Sequence, residues 1–493
     1  VCAIQRLSIM GALIAVINKK GESSVETAVA MLRRLRHKST EAFGIASPTT
    51  TKMRKAVDLL QNKSLSSSII IGHAFSRVLM MDKPQPIISD DVTFVFEGRI
   101  YPNATEISDR EIVAQELQQN REEAVENLIK EVKGDFILVI AENSRLIVAR
   151  DAMGMRPLYY GENTGLAALA SERKALWAVG IEKPDSFPPG HIAIVDKNGF
   201  AFRPVKTLGY SEPKQIAMQA AAKELQTLLQ QSINMRISGL KEVAVAFSGG
   251  LDSSVIAILA KKTRADVHLI HVSLEGQPET GQAKIAANEL KLPLHVCLFE
   301  EDDVKSTLPE VLRLIEEPDL VKLSVGIPFY WTAKKAAEMG LKVMLAGQGA
   351  DELFGGYRRY IDTYLLYGGE EARKKMFEDT SSLYETNLER DLKICDFHNV
   401  ELRLPFATYK MAKFAIDLPI KVKIEPKHDC LRKLVLRQVA ENLGLPKLTV
   451  KKPKKAIQYA TGVNNALQRL VKKQGMSLKE YFKIFYEDAT KVA

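Results

Sequence analysis

The stretch Val243-Ala244-Val245-Ala246-Phe247-Ser248-Gly249-Gly250-Leu251-Asp252-Ser253-Ser254 constrains this chain more than any other. Its short apolar run, rich in β-branched residues, predicts a buried strand. The run breaks at Ser248-Gly249-Gly250, and residues 255–260 resume as a helix. Adjacent glycines let the backbone turn tightly and approach a ligand that side chains would exclude. A helix start presents unpaired N–H groups and a partial positive charge, and Ser248 and Ser253 add hydroxyls, so the corner is a phosphate cradle. Asp252 is out of place in a pure anion site unless a cation shares it, which implies a magnesium–phosphate complex.

A bare Gly-Gly corner occurs in many strand–turn–helix units, whereas Ser-Gly-Gly-Leu-Asp-Ser-Ser behind a strand is a far more demanding pattern. It resembles the pyrophosphate loop of ATP pyrophosphatases, which split ATP into AMP and pyrophosphate while activating a carboxyl or carbonyl oxygen. It lacks the Gly-Lys-Ser/Thr of a Walker loop.

At 493 residues the chain has room for two or three domains. The balance of 69 Lys+Arg against 60 Asp+Glu, a net +9, suits an anionic ligand without demanding nucleic acid. Cys2, Cys297, Cys395 and Cys430 are dispersed, with neither a disulfide framework nor zinc-ligand spacing, which suits a reducing cytoplasm. Residues 7–17 are apolar but too short to span a bilayer and lack a cleavage signal, so a buried first strand is expected.

Up to about residue 205, β-like runs at 8–17, 68–72, 93–96, 134–141, 146–150 and 191–196 are separated by turns and by helical stretches at 25–36 and 110–117. This pattern predicts an α+β sandwich. A loosened, Pro- and Gly-bearing stretch at 202–213 marks a boundary, after which Ser211 and Pro213 open a helix running to Gly239. Strands at 243–247, 267–272, 294–299 and 343–346 then alternate with helices at 279–290, 304–315 and 326–339. That alternation predicts a doubly wound parallel sheet, with ligands at the carboxyl ends of its strands. From Tyr357 onward the chain reads as mostly helical.

A second polar loop, Gly347-Gln348-Gly349-Ala350-Asp351-Glu352-Leu353-Phe354-Gly355-Gly356-Tyr357, ends the strand at 343–346. Asp351 would face Asp252 and supply a second carboxylate for the cation. With this loop the chain closely resembles the synthetase domain of the asparagine synthetase family. The likeness continues through Ile315-Glu316-Glu317-Pro318-Asp319, Glu401-Leu402-Arg403-Leu404-Pro405-Phe406, Leu436-Arg437 and Lys452-Pro453-Lys454-Lys455-Ala456-Ile457-Gln458-Tyr459.

The front half resembles a class II glutamine amidotransferase domain, through Gly134-Asp135-Phe136, Ala149-Arg150-Asp151, Gly154, Arg156-Pro157-Leu158-Tyr159-Tyr160, Ala170-Ser171-Glu172 and Pro188-Pro189-Gly190-His191. The implied fold is an α+β N-terminal-nucleophile sandwich over 2–205. An α/β doubly wound ATP-pyrophosphatase domain with a helical C-terminal part follows over 212–493. In the amidotransferase family the nucleophile is a terminal cysteine, which places Cys2 in that role. Its free α-amino group, with a pKa near neutrality, would take the thiol proton.

Several glutamine-binding positions depart from the family pattern. Cys-Gly-Ile is Cys2-Ala3-Ile4, and the Arg-Gly pair aligns with Lys38-Ser39. Gly-His-x-Arg reads Gly72-His73-Ala74-Phe75, with Arg77 displaced, and the oxyanion loop Asn-Gly-Glu has become Glu97-Gly98-Arg99. Losing one oxyanion donor costs about 3 kcal/mol, and a fixed carboxylate in its place costs more. Ser108-Asp109-Arg110-Glu111 keeps the family's Ser-Asp-x-Glu, which makes Asp109 the expected partner of glutamine's α-amino group. A weak or altered glutaminase feeding a working synthetase is therefore expected.

The resemblance implies adenylation of the aspartate side-chain carboxylate with ATP and Mg2+, then attack by ammonia. Ser248, Gly249, Gly250 and Ser253 would hold pyrophosphate, with Gly347 at the same site and Asp252 and Asp351 on magnesium. Val272 would offer backbone to adenine, and Glu316 would take the proton from ammonia. Counting forward from the family's Arg-x-Lys selects Lys454 as the catalytic lysine, and counting back from Gln458-Tyr459 selects Lys455. Alternatives are a transfer-RNA-modifying enzyme, a relative acting on another carboxylate as β-lactam synthetases do, and a non-catalytic sensor of nucleotide and glutamine. Small-molecule partners are expected, without nucleic acid or membrane, and a homodimer is left open.

Overall fold

The computed structural model describes residues 11–35, 40–61, 65–102, 107–118, 120–426 and 431–473, together with 475, 477 and 480. These divide into two compact units, one built from residues up to Thr207 with Asp396–Asn399, the other from Leu208–Cys395 and the residues after Asn399.

The first unit is two antiparallel sheets between helices. Its strands are β1 (Ala12–Asn18), β2 (Ala42–Ala46), β3 (Thr51–Arg54), β4 (Ile69–Phe75), β5 (Ile87–Ser89), β6 (Val92–Ile100), β7 (Gly134–Ala141), β8 (Leu146–Arg150), β9 (Tyr159–Glu162), β10 (Leu166–Ala170), β11 (Asp185–Ser186), β12 (His191–Asp196) and β13 (Gly199–Pro204). One sheet runs β11-β9-β10-β1-β4-β2-β3 and the other β13-β12-β8-β7-β6-β5. Period-two alternation explains why both faces of β1 are apolar. Leu13, Ala15 and Ile17 pack with Val95, Ile137 and Val139 of the second sheet, forming the core between the sheets. Ile14 and Val16 share the opposite face with Val29 and Leu32 of helix α1 (Val25–Arg34) and with Ala175 and Leu176 of helix α4 (Arg173–Trp177). Helices α2 (Asp109–Glu116) and α3 (Arg121–Glu131) cover the second sheet through Val113, Val125 and Leu128. Asp151 receives backbone N–H groups of Phe136, Met153 and Met155, while buried Arg150 donates to the Gly154 carbonyl. Both residues therefore brace the scaffold.

The second unit carries a parallel sheet of β14 (Glu242–Ala246), β15 (Asp266–Leu274), β16 (Leu294–Phe299), β17 (Val343–Leu345) and β18 (Glu401–Arg403), in the order β16-β15-β14-β17-β18. Order reverses beside β14, so the loops leaving β14 and β17 are neighbours at the carboxyl edge, where ligands of open α/β sheets bind. Strand β18 lies in the stretch expected to be mostly helical. Its three residues, Glu401, Leu402 and Arg403, are too few to show a period, and pairing with β17 makes them a strand.

Two helix boundaries also differ from expectation. The helix expected from Ser211 and Pro213 begins at Met218 (α5, Met218–Ile237). Ser211 instead donates its hydroxyl to Asp417 at 2.7 Å, and the Lys214 N–H donates to the Asp417 carbonyl at 2.8 Å, which holds the segment extended. The helix expected at 326–339 starts earlier, at Leu320 (Leu320–Glu338), because the Asp319 carboxylate caps it by accepting the Lys322 N–H at 2.7 Å. Among the described residues no helix is long and apolar enough to cross a membrane.

Candidate active site

The corner after β14 is shaped by contact. Gly249 has φ +64°, and a Cβ there would sit 2.8 Å from the Cα of Ala283 on α7 (Pro278–Leu290). Gly250 caps α6 (Leu251–Lys261), its N–H reaching Ser248 Oγ at 3.2 Å, and Ser253 Oγ accepts the Ser248 N–H at 3.3 Å. Ser248, Asp252 and Ser253 line a cavity of about 620 Å³. Strand β15 runs beyond its last β14 pairing, Ala246↔Ile270, which brings Val272 to the same wall.

The corner after β17 closes on the first. A Cβ on Gly347 would lie 2.9 Å from that of Asp252, so glycine permits the two loops to touch. Asp351 then stands near Asp252, and one ammonium serves both: Lys433 Nζ is 2.8 and 2.7 Å from the Asp252 oxygens and 2.7 Å from Asp351 Oδ1. Lys454 Nζ approaches the other Asp351 oxygen at 2.6 Å. Gly356 makes room for this group, because a Cβ there would fall 1.8 Å from Asp351 Oδ1 and 2.4 Å from Lys433 Cε. Burial alone would raise the Asp351 carboxyl pKa, but Lys433 and Lys454 hold it well below the usual carboxylate range. Burial would likewise lower Lys454, and Asp351 and Asp252 hold it above its ordinary value. Two carboxylates sharing one cation are an oxygen-donor set that fits a divalent ion such as Mg2+.

The two lysines left in competition by the sequence point to different places. Lys454 joins the paired carboxylates, whereas Lys455 is bound to Glu279. Lys452 comes within 3.4 Å of the Gly249 carbonyl. Glu316 ends α8 (Glu301–Ile315) in a left-handed conformation, φ +59°, and is buried against Lys393 at 2.5 Å. It is not among the residues lining the cavity, which take in Asp319 and Lys322 just after it. Glu352 does line the cavity. It accepts hydrogen bonds from Tyr357 at 2.6 Å and Asn387 at 2.7 Å, both on Oε1. Burial, helped by the charge of Asp351, pushes its carboxyl pKa up.

Lys433 escaped the sequence reading because a single lysine in a basic tract carries no pattern. Its backbone at φ +60° is the structural signal, since a non-glycine residue in that region is held there by its surroundings. Glu352 was not singled out in the sequence, and the Tyr357 hydroxyl five residues on, which folds back onto it, is the clue to its burial.

In the first unit, Glu97, Gly98 and Asp109 meet around a smaller cavity of about 60 Å³. Gly98 has φ +137°, and a Cβ there would lie 2.0 Å from the Asp135 carbonyl oxygen. Glu97 is buried against His73 of β4, Oε2 to Nε2 2.8 Å. Arg99 binds Asp82 at 2.7 and 3.0 Å and Asp109 at 3.4 Å, while Asp109 also accepts the Ile100 N–H at 3.2 Å. Asp109, expected to face a ligand's amino group, is thus engaged by Arg99. Glu111 caps α2 by accepting from the Ser108 N–H and hydroxyl, which pull its pKa down to about 2. Cys2 and Lys38 lie outside the described residues.

The chain is similar to known proteins along most of its length. A profile described as asparagine synthase matches residues 224–372 and 364–490, and one for a glutamine amidotransferase domain matches residues 73–178. A protein of Methanocaldococcus jannaschii named as asparagine synthetase (glutamine-hydrolyzing) 1 is 30% identical, covering 95% of this chain and 97% of its own length. The asparagine synthetase (glutamine-hydrolyzing) of Triphysaria versicolor is 28% identical over 69% of this chain and 60% of its own. Among solved structures, a glutamine phosphoribosylpyrophosphate amidotransferase from B. subtilis aligns at 16% identity and TM-score 0.35, covering 58% of this chain and 65% of its own.

Proposed function

The chain belongs to the asparagine synthase family, and from that premise we propose that it is an ATP-dependent ligase that makes asparagine from aspartate. The aspartate side-chain carboxylate attacks the α-phosphorus of ATP, the bond to the β-phosphate breaks, and pyrophosphate leaves. Ammonia then attacks the acyl carbon of the mixed anhydride, the bond to AMP breaks, and a proton is lost as the amide forms. The observation that carries this is the Lys433 ammonium shared by Asp252 and Asp351 at the ends of adjacent strands, facing a cavity of about 620 Å³.

Ser248, Ser253 and the N–H groups at the start of α6 receive the pyrophosphate, where a helix N-terminus and hydroxyl donors favour an anion. Lys454 meets the negative charge that develops between the α-phosphorus and the departing group. Asp252 and Asp351 would hold Mg2+, which when bound supplies charge neutralisation of the phosphates. Val272 and Gly347 border the nucleotide end. For the proton lost by the attacking nitrogen, the cavity offers Glu352 rather than Glu316: a buried carboxyl with a raised pKa is the better base. Glu316, expected in that role, is bound to Lys393 and is not among the residues lining the cavity. The setting is cytoplasmic and the substrates are small molecules.

The test is pyrophosphate and AMP formation by the full chain with ammonium chloride and a panel of carboxylic acids. Aspartate should exceed glutamate, other amino acids and simple dicarboxylates. A different acid that releases pyrophosphate faster than aspartate would move the enzyme to another acceptor, and no AMP with any acid would remove the ligase assignment.

A further inference from the structure

The second unit buries a positive charge that its own side chains leave unanswered. We propose that the small pocket shared by Lys423, Arg373 and Thr380 is a binding site for one monatomic anion, chloride, which supplies the missing counter-charge. The pocket measures about 10 Å³, and between these polar groups its walls are apolar, with Leu353, Met376 and Ala415.

Lys423 follows the turn Ile420–Val422 and is 3% exposed. Among the described residues its ammonium has no hydrogen-bond or ion-pair partner, and the buried Thr380 hydroxyl has none either. Arg373, on the helix Gly369–Ser381, is 5% exposed, and its Nε is buried without a partner. The carboxylates nearby are already engaged. Glu370 accepts from Arg373 at 2.8 Å and from the Tyr210 hydroxyl at 2.5 Å. Asp417 accepts from the Ser211 hydroxyl at 2.7 Å and pairs with Lys214 at 2.7 Å. Three cations, Lys423, Arg373 and Lys214, thus stand against two carboxylates, and the one left over is the most buried of the three.

A buried ammonium must lose its proton or gain a counter-charge. Desolvation, reinforced by Arg373, pulls the Lys423 pKa down to about 7, so near neutrality its state depends on what stands beside it. A pocket of this volume takes about one water-sized occupant. Phosphate, sulfate and carboxylates carry several heavy atoms and exceed it, and water brings no charge. Chloride is a single atom that accepts hydrogen bonds from any direction and tolerates carbon on its other side.

The pocket also joins two segments of the larger site. Leu353 stands two residues after Asp351, and the Lys423 carbonyl accepts the Leu434 N–H at 2.9 Å, next to Lys433. Filling it steadies both.

The experiment unfolds the full-length chain with urea in sodium chloride and in sodium gluconate at equal ionic strength. We expect a higher midpoint in chloride at pH 7, and a smaller difference at pH 9, where the amine is neutral. Lys423→Met should abolish the difference between the salts. Crystals of the unsubstituted chain soaked in sodium bromide should show an anomalous-scattering peak in contact with Lys423. Equal midpoints in the two salts at pH 7, or bromide crystals without that peak, overturn the proposal and leave Lys423 as an amine that folds without its proton. Should Lys423→Met fail to fold, these two measurements on the unsubstituted chain decide it.

Discussion

The two cavities are assembled from the same kinds of group and differ in what glycine admits. In the second unit Asp252, Asp351, Lys433 and Lys454 form a balanced cluster on the wall of a space of about 620 Å³. In the first, Glu97, Asp109, Asp82, Arg99 and His73 are just as densely paired, yet they close on about 60 Å³. Gly347 makes room for Asp252, and Gly356 for Asp351 and Lys433. Gly11 makes room for the His73 imidazole and the Glu97 carboxylate. The same kinds of charge pair therefore leave a wide space in one unit and a narrow one in the other.

The strongest way to break this contrast is at the lysines. Lys454→Met should lower pyrophosphate release about 10²–10³-fold, the size of loss seen when one charge-stabilising donor is removed. Lys455→Met, which frees Glu279, should cost only a few-fold. Two equal, mild losses would mean that the cluster with Asp351 is structural. A sharper division comes from Glu352→Gln. Amide formation should fall about 10²-fold, while exchange of labelled pyrophosphate into ATP with aspartate continues. Parallel loss of both steps would reassign Glu352 to holding the loop.

The smallest effect concerns a cation that lines neither cavity. Lys423 is buried, and desolvation, reinforced by Arg373, lowers its pKa to about 7. A lysine whose folded pKa is depressed binds fewer protons folded than unfolded between that value and the ordinary lysine range. Stability should therefore rise as pH climbs from about 7 toward 10, by up to a few kcal/mol. Urea denaturation at pH 7 and pH 9 would show the rise, and Lys423→Met should flatten it. An unchanged slope in that variant would assign the dependence to other groups.

What could be read in the chain beforehand was whatever is local. The β14 corner and the Gly347 loop announce themselves because glycine, hydroxyl and carboxylate must be adjacent in sequence to be adjacent at a helix start. Strand β7 shows its burial as the apolar run Phe136-Ile137-Leu138-Val139-Ile140-Ala141, and its bounds are read as observed. Lys454 and Lys455 could not be told apart, because neighbours in an irregular segment point to different sides and only the fold decides which side holds Asp351. Lys433 reaches Asp252 across 181 positions, and Lys393 reaches Glu316 across 77, separations at which no spacing rule operates. Gly11 was passed over for a related reason. A glycine before an apolar run looks like punctuation until His73 and Glu97 are seen filling the volume it leaves.

That filling makes position 11 a place that admits no larger residue. The first carbon of any side chain there would lie 2.2 Å from His73 Nε2 and 2.7 Å from Glu97 Oε2, so even alanine would have to push the imidazole and the carboxylate aside.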